Sequence, residues 1–348
     1  MIIEKVSFLN IRKTSEAHYS FIPETNIIIG ENGAGKTTIL ETLFLLSTSK
    51  SFRKKQNKAL LKEGKKTLKA QGFFIENNTE KKIKIEIENN KKTIAKNNQR
   101  IKKTSELLSE NPMVCMSPEE TDVIESYKSE KMKYFDKIIF KIEKEHIKDI
   151  KEYNKLLLYR NTLLEQKKET SIWDKQIATK GISIWKRREE KIKEIIESFK
   201  KVQKEIKTEG YTVEYINNKT DNEKVYVKKL KEKKNQEKTR FGPQTDTMIF
   251  KKEEQNLQEH GSQGEKKLFK HLLKLAEASL LKAKTKKTPI ILLDDFFDKL
   301  DNKNIMKIFI YFHCKFQTII TTTETNINII KNMLGLEEKQ IKIIKCQQ

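Results

Sequence analysis

Gly30-Glu31-Asn32-Gly33-Ala34-Gly35-Lys36-Thr37 governs how the rest of the chain is read. It fits Gly-x4-Gly-Lys-Ser/Thr at every fixed position. The apolar run Asn26-Ile27-Ile28-Ile29 precedes it, and from Lys36 to Leu46 the apolar residues fall at helical spacing. A strand therefore runs into a glycine loop and then into a helix. A phosphate cradle needs this local structure, because glycines let backbone N–H groups curl around phosphate oxygens at the positive end of a helix. Lys36 adds a point charge for the β- and γ-phosphates and Thr37 a hydroxyl for Mg2+. The nucleotide-contacting set expected here is Gly30, Glu31, Asn32, Gly33, Ala34, Gly35, Lys36, Thr37 and Thr38.

Two further segments complete such a site. Ile290-Ile291-Leu292-Leu293-Asp294-Asp295 is four apolar residues ending in two carboxylates. It predicts a buried parallel strand with acids at its C-terminal end, the Walker B pattern. Asp294 is the expected Mg2+ ligand, and Asp295, with Lys36, the expected catalytic group, polarising the attacking water. Gly261-Ser262-Gln263-Gly264-Glu265 starts 33 residues before Asp294 and opens a helical pattern at Leu268, Leu272 and Leu275. Its shape is that of the ABC signature, usually Leu-Ser-Gly-Gly-Gln, in which a hydroxyl, a backbone N–H and a helix end converge on a γ-phosphate. Alone, the pentapeptide also reads as a flexible loop with a helix cap. Ser262, Gln263, Gly264 and Glu265 join the nucleotide-contacting set, with Asp301 of Leu300-Asp301 at the D-loop position. Thr321-Thr322-Thr323 ends the next strand at the switch position, where a hydroxyl stands in place of a histidine. In ABC-type enzymes the signature of one subunit faces the P-loop of another, which implies an ATP-dependent homodimer closed head to tail around two nucleotides.

The spacing predicts an α/β protein, an ABC/SMC-type P-loop ATPase head with a mixed sheet, an antiparallel β subdomain and an inserted helical lobe. Ile2 to Leu9 reads as a strand. Ile83, Ile85 and Ile87 alternate with charged residues inside the antiparallel stretch Gln71–Gln99. From Lys131 to Lys207 apolar residues recur every three or four positions without sustained heptads, predicting a compact helical lobe. Tyr211–Ile216 and Lys224–Val227 read as short strands, Lys228–Lys238 as a helix, and Pro289–Leu293 and Thr318–Thr322 as buried strands. The ATPase domain is expected over 1–115 and 240–348 and the inserted lobe over 116–239.

The 348 residues carry 72 Lys+Arg against 49 Asp+Glu, a net charge of +23, as expected of a protein that meets polyanions. Only 7 of those cations are arginine, and in a chain crowded with Asn and Ile the same charge also describes a plain solvated lysine surface. The runs Lys54–Lys69, Lys81–Lys103 and Lys228–Arg240 are candidate phosphate contacts. The 3 cysteines are scattered, and the 5 histidines form no ligand spacing, so neither a disulfide framework nor a zinc site is indicated. With no apolar run near the length of a membrane span and no signal-peptide layout, a cytoplasmic protein without membrane contact is expected.

Further marks accompany these motifs: Lys50-Ser51-Phe52-Arg53, Met113-Val114-Cys115-Met116-Ser117-Pro118-Glu119-Glu120, Tyr153-Asn154-Lys155 with Arg160-Asn161-Thr162-Leu163-Leu164, Trp173-Asp174-Lys175-Gln176, and Phe241-Gly242-Pro243. In identity and order they resemble the RecF family of bacterial recombination mediators. The resemblance covers nearly the whole chain. It implies an ATP-dependent dimer that binds DNA at single-strand gaps and supports recombinase loading with RecO- and RecR-type partners, in gap repair, replication recovery and the SOS response. The chain departs from the family in having Gln244-Thr245-Asp246 after Gly-Pro, where His-Arg-Asp is usual, and in using lysine where the family's basic segments are richer in arginine. Asp295 in place of the Glu of most ABC ATPases agrees with this family and implies slow turnover, suited to a switch. The rival readings are a transporter ATPase subunit, an SMC-like head of a nuclease complex, and a purely structural DNA-binding protein with a dead nucleotide site, against which the intact Lys36, Thr37, Asp294 and Asp295 argue. The 226 residues from Lys36 to Ser262 are far more than the first needs, and the second would need long heptads.

Overall fold

Strands buried at every position need cover on both faces, and four such runs meet in one sheet. In the computed structural model, β3 (Thr25–Ile29), β8 (Met113–Met116), β12 (Ile290–Leu293) and β13 (Thr318–Thr322) are buried throughout. With β14 (Ile341–Lys345) they form a five-stranded sheet in the order β14-β3-β13-β12-β8, every pairing parallel. The structure describes residues 1–53, 57–89, 91–102, 104, 107, 111–118, 122–232, 238–285, 287–296, 302–313, 315–323 and 340–346.

The alternating segments form a separate antiparallel sheet, β2-β1-β4-β5-β6-β7, from β1 (Ile2–Ile11), β2 (Thr14–Ser20), β4 (Thr67–Glu76), β5 (Thr79–Glu88), β6 (Lys91–Lys96) and β7 (Gln99–Arg100). On β5 the isoleucines at 83, 85 and 87 are buried while Lys84 and Glu86 are partly exposed, the half-solvated pattern that period two predicts. Helix α1 (Lys36–Thr48) touches strands of both sheets. It is therefore covered on nearly all sides, and Ile39, Leu40, Leu43, Leu45 and Leu46 are each at most 1% exposed.

Contacts divide the chain into two compact units, 1–121 with 202–207 and 267–348, and 122–201 with 208–266. The second unit holds α2 (Lys128–Ile142), α3 (Glu145–Glu165), most of α4 (Ser171–Glu205), α5 (Glu223–Glu232) and the short α6 (Leu257–His260). It also holds a three-stranded sheet of β9 (Tyr211–Ile216), β10 (Thr247–Lys252) and β11 (Gln255–Asn256). Residues 240–266 group with it because β10 pairs antiparallel along β9. Helix α7 (Gln263–Thr285) precedes β12, and α8 (Asn302–His313) precedes β13.

Lys224–Val227, read from sequence as a strand, is instead the first part of α5. Tyr226 and Leu230 sit four residues apart and are both buried, so helical spacing over 223–232 overrides the local β preference of Val-Tyr-Val. The far end of the predicted Lys228–Lys238 helix, residues 233–237, lies outside the described residues.

The second unit is pinned by buried charge. Arg188 grips Asp136 with Nε and Nη2, at 3.0 and 2.8 Å, and donates Nη1 to Asp246 and to the Pro243 carbonyl, both at 2.7 Å. Arg160 Nε meets Asp174 at 2.7 Å. Burial pushes the Asp136 carboxyl up, but Arg188 and His146 outweigh it and hold the group below the usual carboxylate range. Among the described residues no helix is long and apolar enough to cross a membrane.

Candidate functional site

The glycine loop leaves β3 and turns into α1 through two left-handed residues, Gly33 at φ 87° and Gly35 at φ 99°. A side chain at either position would be strained. Gly35 caps α1 without any side-chain hydrogen bond, so this helix end faces the cleft with backbone alone. Lys36 Nζ donates to the carbonyls of Gly30 and Glu31 at 2.7 and 2.9 Å, which folds the ammonium back over the loop. Cys346 follows β14 and packs on the same loop, its thiol donating to the Ala34 carbonyl at 3.1 Å. The loop, Asp295, Arg12, Lys13, Thr14, Ser15, Glu16 and Arg53 line a cleft of about 780 Å3.

Asp294 lies 4% exposed at the end of β12. Parallel pairing with β8 and β13 brings the hydroxyls of Ser117 and Thr321 to it, and the start of α1 brings that of Thr37. Thr37 and Thr321 donate to Oδ1 at 3.0 and 2.8 Å, and Ser117 donates to Oδ2 at 3.0 Å. Burial raises the carboxyl above its ordinary range, while the hydroxyls and the charge of Arg53 oppose the rise. The Asp295 N–H donates to Thr321 Oγ1 at 3.2 Å, and its backbone is left-handed at φ 45°. Asp tolerates that conformation better than most residues, and it turns the second acid toward the cleft. Among the described residues no cluster of three or more His, Cys, Asp or Glu could hold a metal. The Thr37–Asp294 oxygen pair still suits Mg2+, a hard cation commonly held by one or two protein oxygens with the remainder from phosphates and water.

Glu41, on α1, is fully buried and answered by cations. Arg12 Nε and Nη2 form a fork on it at 2.9 and 2.7 Å, Ser51 donates to it, and Arg53 Nε lies 3.8 Å away. This fork fixes the Arg12 guanidinium at the rim of the phosphate cleft, with that of Arg53 in ionic range of the same carboxylate.

The signature segment lies in the second unit, at the start of α7. Ser262 is exposed, and its hydroxyl and N–H both donate to Glu265 Oε2, at 2.8 and 2.9 Å. Asp301 lies outside the described residues, so the D-loop expectation has no geometry here.

The structure thus gathers Lys36, Thr37, Asp294, Asp295 and Thr321 at one end of the parallel sheet. Sequence reading did not assign Arg12, Ser117 or Cys346 to this place. Ser117 and Arg53 stood inside segments quoted only for their family resemblance, and Arg12 and Cys346 had no local signal. Other marks of that resemblance are structural. Tyr153 donates to the half-buried Gln244 at 2.6 Å and Thr245 is exposed, while Asp246, which the chain shares with the family pattern, is buried and accepts from Trp185 Nε1 at 3.0 Å and from Arg188. In the basic run from Lys81, several lysines have partners in the same unit, Lys81 with Glu76 and Lys84 with Glu86 in the sheet, and Lys92 with the Ser49 carbonyl at the end of α1.

A glycine loop opening a buried helix, with a strand-end aspartate hydrogen-bonded to the loop's threonine, defines the P-loop class of nucleotide-binding α/β proteins. The family described as RecF/RecN/SMC N terminal domain matches residues 2–345, and the chain belongs to it. The chain is 32% identical to the DNA replication and repair protein RecF of Azobacteroides pseudotrichonymphae genomovar. CFP2, over 99% of this chain and 97% of that protein. It is 30% identical to the protein of the same name from Cytophaga hutchinsonii, over 88% of this chain and 85% of that one. A solved structure of the recombination mediator protein RecF-ATP in the RecFOR pathway superposes with a TM-score of 0.80 at 27% identity, covering 92% of each chain. The fold class and the family resemblance expected from the residues are both borne out.

Proposed function

We propose that the chain is an ATP-dependent DNA-binding recombination mediator of RecF type, acting as a slow ATPase switch. The observation that carries this is the Thr37–Asp294–Thr321 cluster beside the glycine loop, in a chain whose relatives are named for replication and repair. Residues 30–38 bind the phosphates, and Lys36 exchanges its loop carbonyls for the β- and γ-phosphates. Thr37 and Asp294 hold Mg2+, which supplies charge neutralisation on the transferred phosphoryl group. Asp295 orients the attacking water, its short side chain making turnover slow. Ser262 and the start of α7, with Gln263, Gly264 and Glu265, meet the γ-phosphate bound by a second copy, with Asp301 as the D-loop residue, so ATP closes a homodimer. The closed dimer binds DNA at single-strand gaps through lysine-rich surface, and RecO- and RecR-type proteins act with it in the cytoplasm.

Binding of a labelled gapped duplex, followed by anisotropy across a salt series with ATP, ADP or no nucleotide, tests this reading. The expected result is ATP-dependent affinity that falls with salt, is lost in Lys36→Ala, and outlasts wild type in Asp295→Asn. Affinity indifferent to nucleotide and to both substitutions would contradict it.

A further inference from the structure

The Ser262 hydroxyl and N–H converge on one oxygen of Glu265, at 2.8 and 2.9 Å, while the Glu265 N–H donates back to Ser262 Oγ at 3.3 Å. This is a capping box at the start of α7, and Gln would serve at the acid's position equally well. The ABC signature usually carries Gln there, and this chain carries a carboxylate. The backbone and hydroxyl bonds from Ser262 hold that carboxyl below the ordinary range, with Lys252 of β10 adding to the effect. On β9, burial and the charge of Glu265 raise the Tyr211 phenol to about 12. Glu265 is therefore ionised at neutral pH.

Gly264 supplies an independent observation. Glycine within a helix costs about 1 kcal/mol relative to Ala, yet a Cβ at Gly264 would meet nothing within 4 Å. At Gly261, by contrast, a Cβ would lie 2.6 Å from the Leu257 carbonyl oxygen, so that glycine is required internally. The bare first turn of α7 leaves room for a group from outside the chain to approach the backbone beside Ser262.

We propose that Glu265 is an internal competitor for the donors that receive the γ-phosphate, so that its carboxylate sets the ATP concentration at which two copies close. The proposal rests on the signature assignment made under Proposed function. In the open state the carboxylate oxygen occupies the Ser262 hydroxyl and N–H. Closure brings a polyphosphate to the same donors, and the carboxylate must give them up and stand beside a like charge.

The test is ATP-dependent dimerisation by sedimentation velocity, titrating ATP with wild type, Glu265→Gln, Glu265→Ala and Ser262→Arg, each checked for folding by thermal melt. Glu265→Gln keeps the capping box and removes the charge. It is expected to dimerise at about fivefold lower ATP, the scale of one unit-charge repulsion at ~4 Å in water, and the gap should narrow as salt is raised. Glu265→Ala also loses the charge, and its weaker cap appears separately in the melt. If Glu265→Gln needs as much ATP as wild type or more while Ser262→Arg fails to dimerise, the competitor role is overturned and the signature assignment survives. If Ser262→Arg dimerises like wild type, the signature assignment fails and the proposal goes with it.

Discussion

Asp294 holds three hydroxyl donors on its two oxygens, and the chain supplies them from three distant places, Thr37, Ser117 and Thr321. Only the first and last of these are visible as a pattern, one closing the glycine loop and the other ending the strand after Walker B. Its neighbour Asp295 makes the clearest residue-scale prediction, because its φ of 45° lies where side chains other than those of Asn and Asp are disfavoured. In urea unfolding, Asp295→Gly is expected to be about 1 kcal/mol more stable than Asp295→Ala, glycine paying no Cβ penalty there. An Ala variant as stable as the Gly variant would refute a backbone role. The type and spacing of Asp294 and Asp295 were legible in the sequence. The left-handed turn separating their roles was not, because nothing in an Asp-Asp pair specifies φ.

Elements carry two further predictions. In α4, Gly181 faces Tyr226 of α5 so closely that a Cβ would fall 2.5 Å from the phenol oxygen. Helix propensity favours Gly181→Ala by about 1 kcal/mol, but displacing a fully buried Tyr from its site costs about 1–3 kcal/mol. Overpacking should win, and a thermal melt is expected to show net destabilisation. A gain in stability would mean that α5 moves aside without penalty. In α7, His271 is buried with Nδ1 donating to the Lys267 carbonyl at 2.6 Å, and burial pushes its pKa down to about 4. The unfolded imidazole takes up its proton near pH 6.5, so between pH 6.5 and 4 the unfolded chain binds more protons. Stability from this residue is then complete above about 6.5 and is lost as pH falls toward 4, by up to about 3 kcal/mol. His271→Leu should flatten that part of the urea-measured stability profile, and an unchanged slope would exclude His271 as its source. Helix existence was readable from spacing, whereas α5 was half misread, because over four residues Lys-Val-Tyr-Val satisfies a strand as well as a helix.

At the scale of the whole molecule, the parallel sheet is assembled from segments as far apart as β3 and β14, which pair from Thr25 with Ile341 to Ile29 with Lys345. Apolar runs identify such strands singly, but their order follows from long-range packing, which is why Cys346 against the glycine loop could not be foreseen. The proposed head-to-tail dimer puts the phosphate loop of one chain and the signature of the other into one site. Mixing Lys36→Ala with Ser262→Arg tests this most directly, since each variant alone spoils both sites of its own dimer. A mixed dimer keeps one intact site, with loop and signature from opposite chains. ATP hydrolysis by the equimolar mixture is predicted to reappear, reaching up to roughly a quarter of wild type, since half of the dimers are mixed and each has one of two sites. A mixture as inactive as either variant alone, with mixed dimers demonstrably formed, would contradict the shared site.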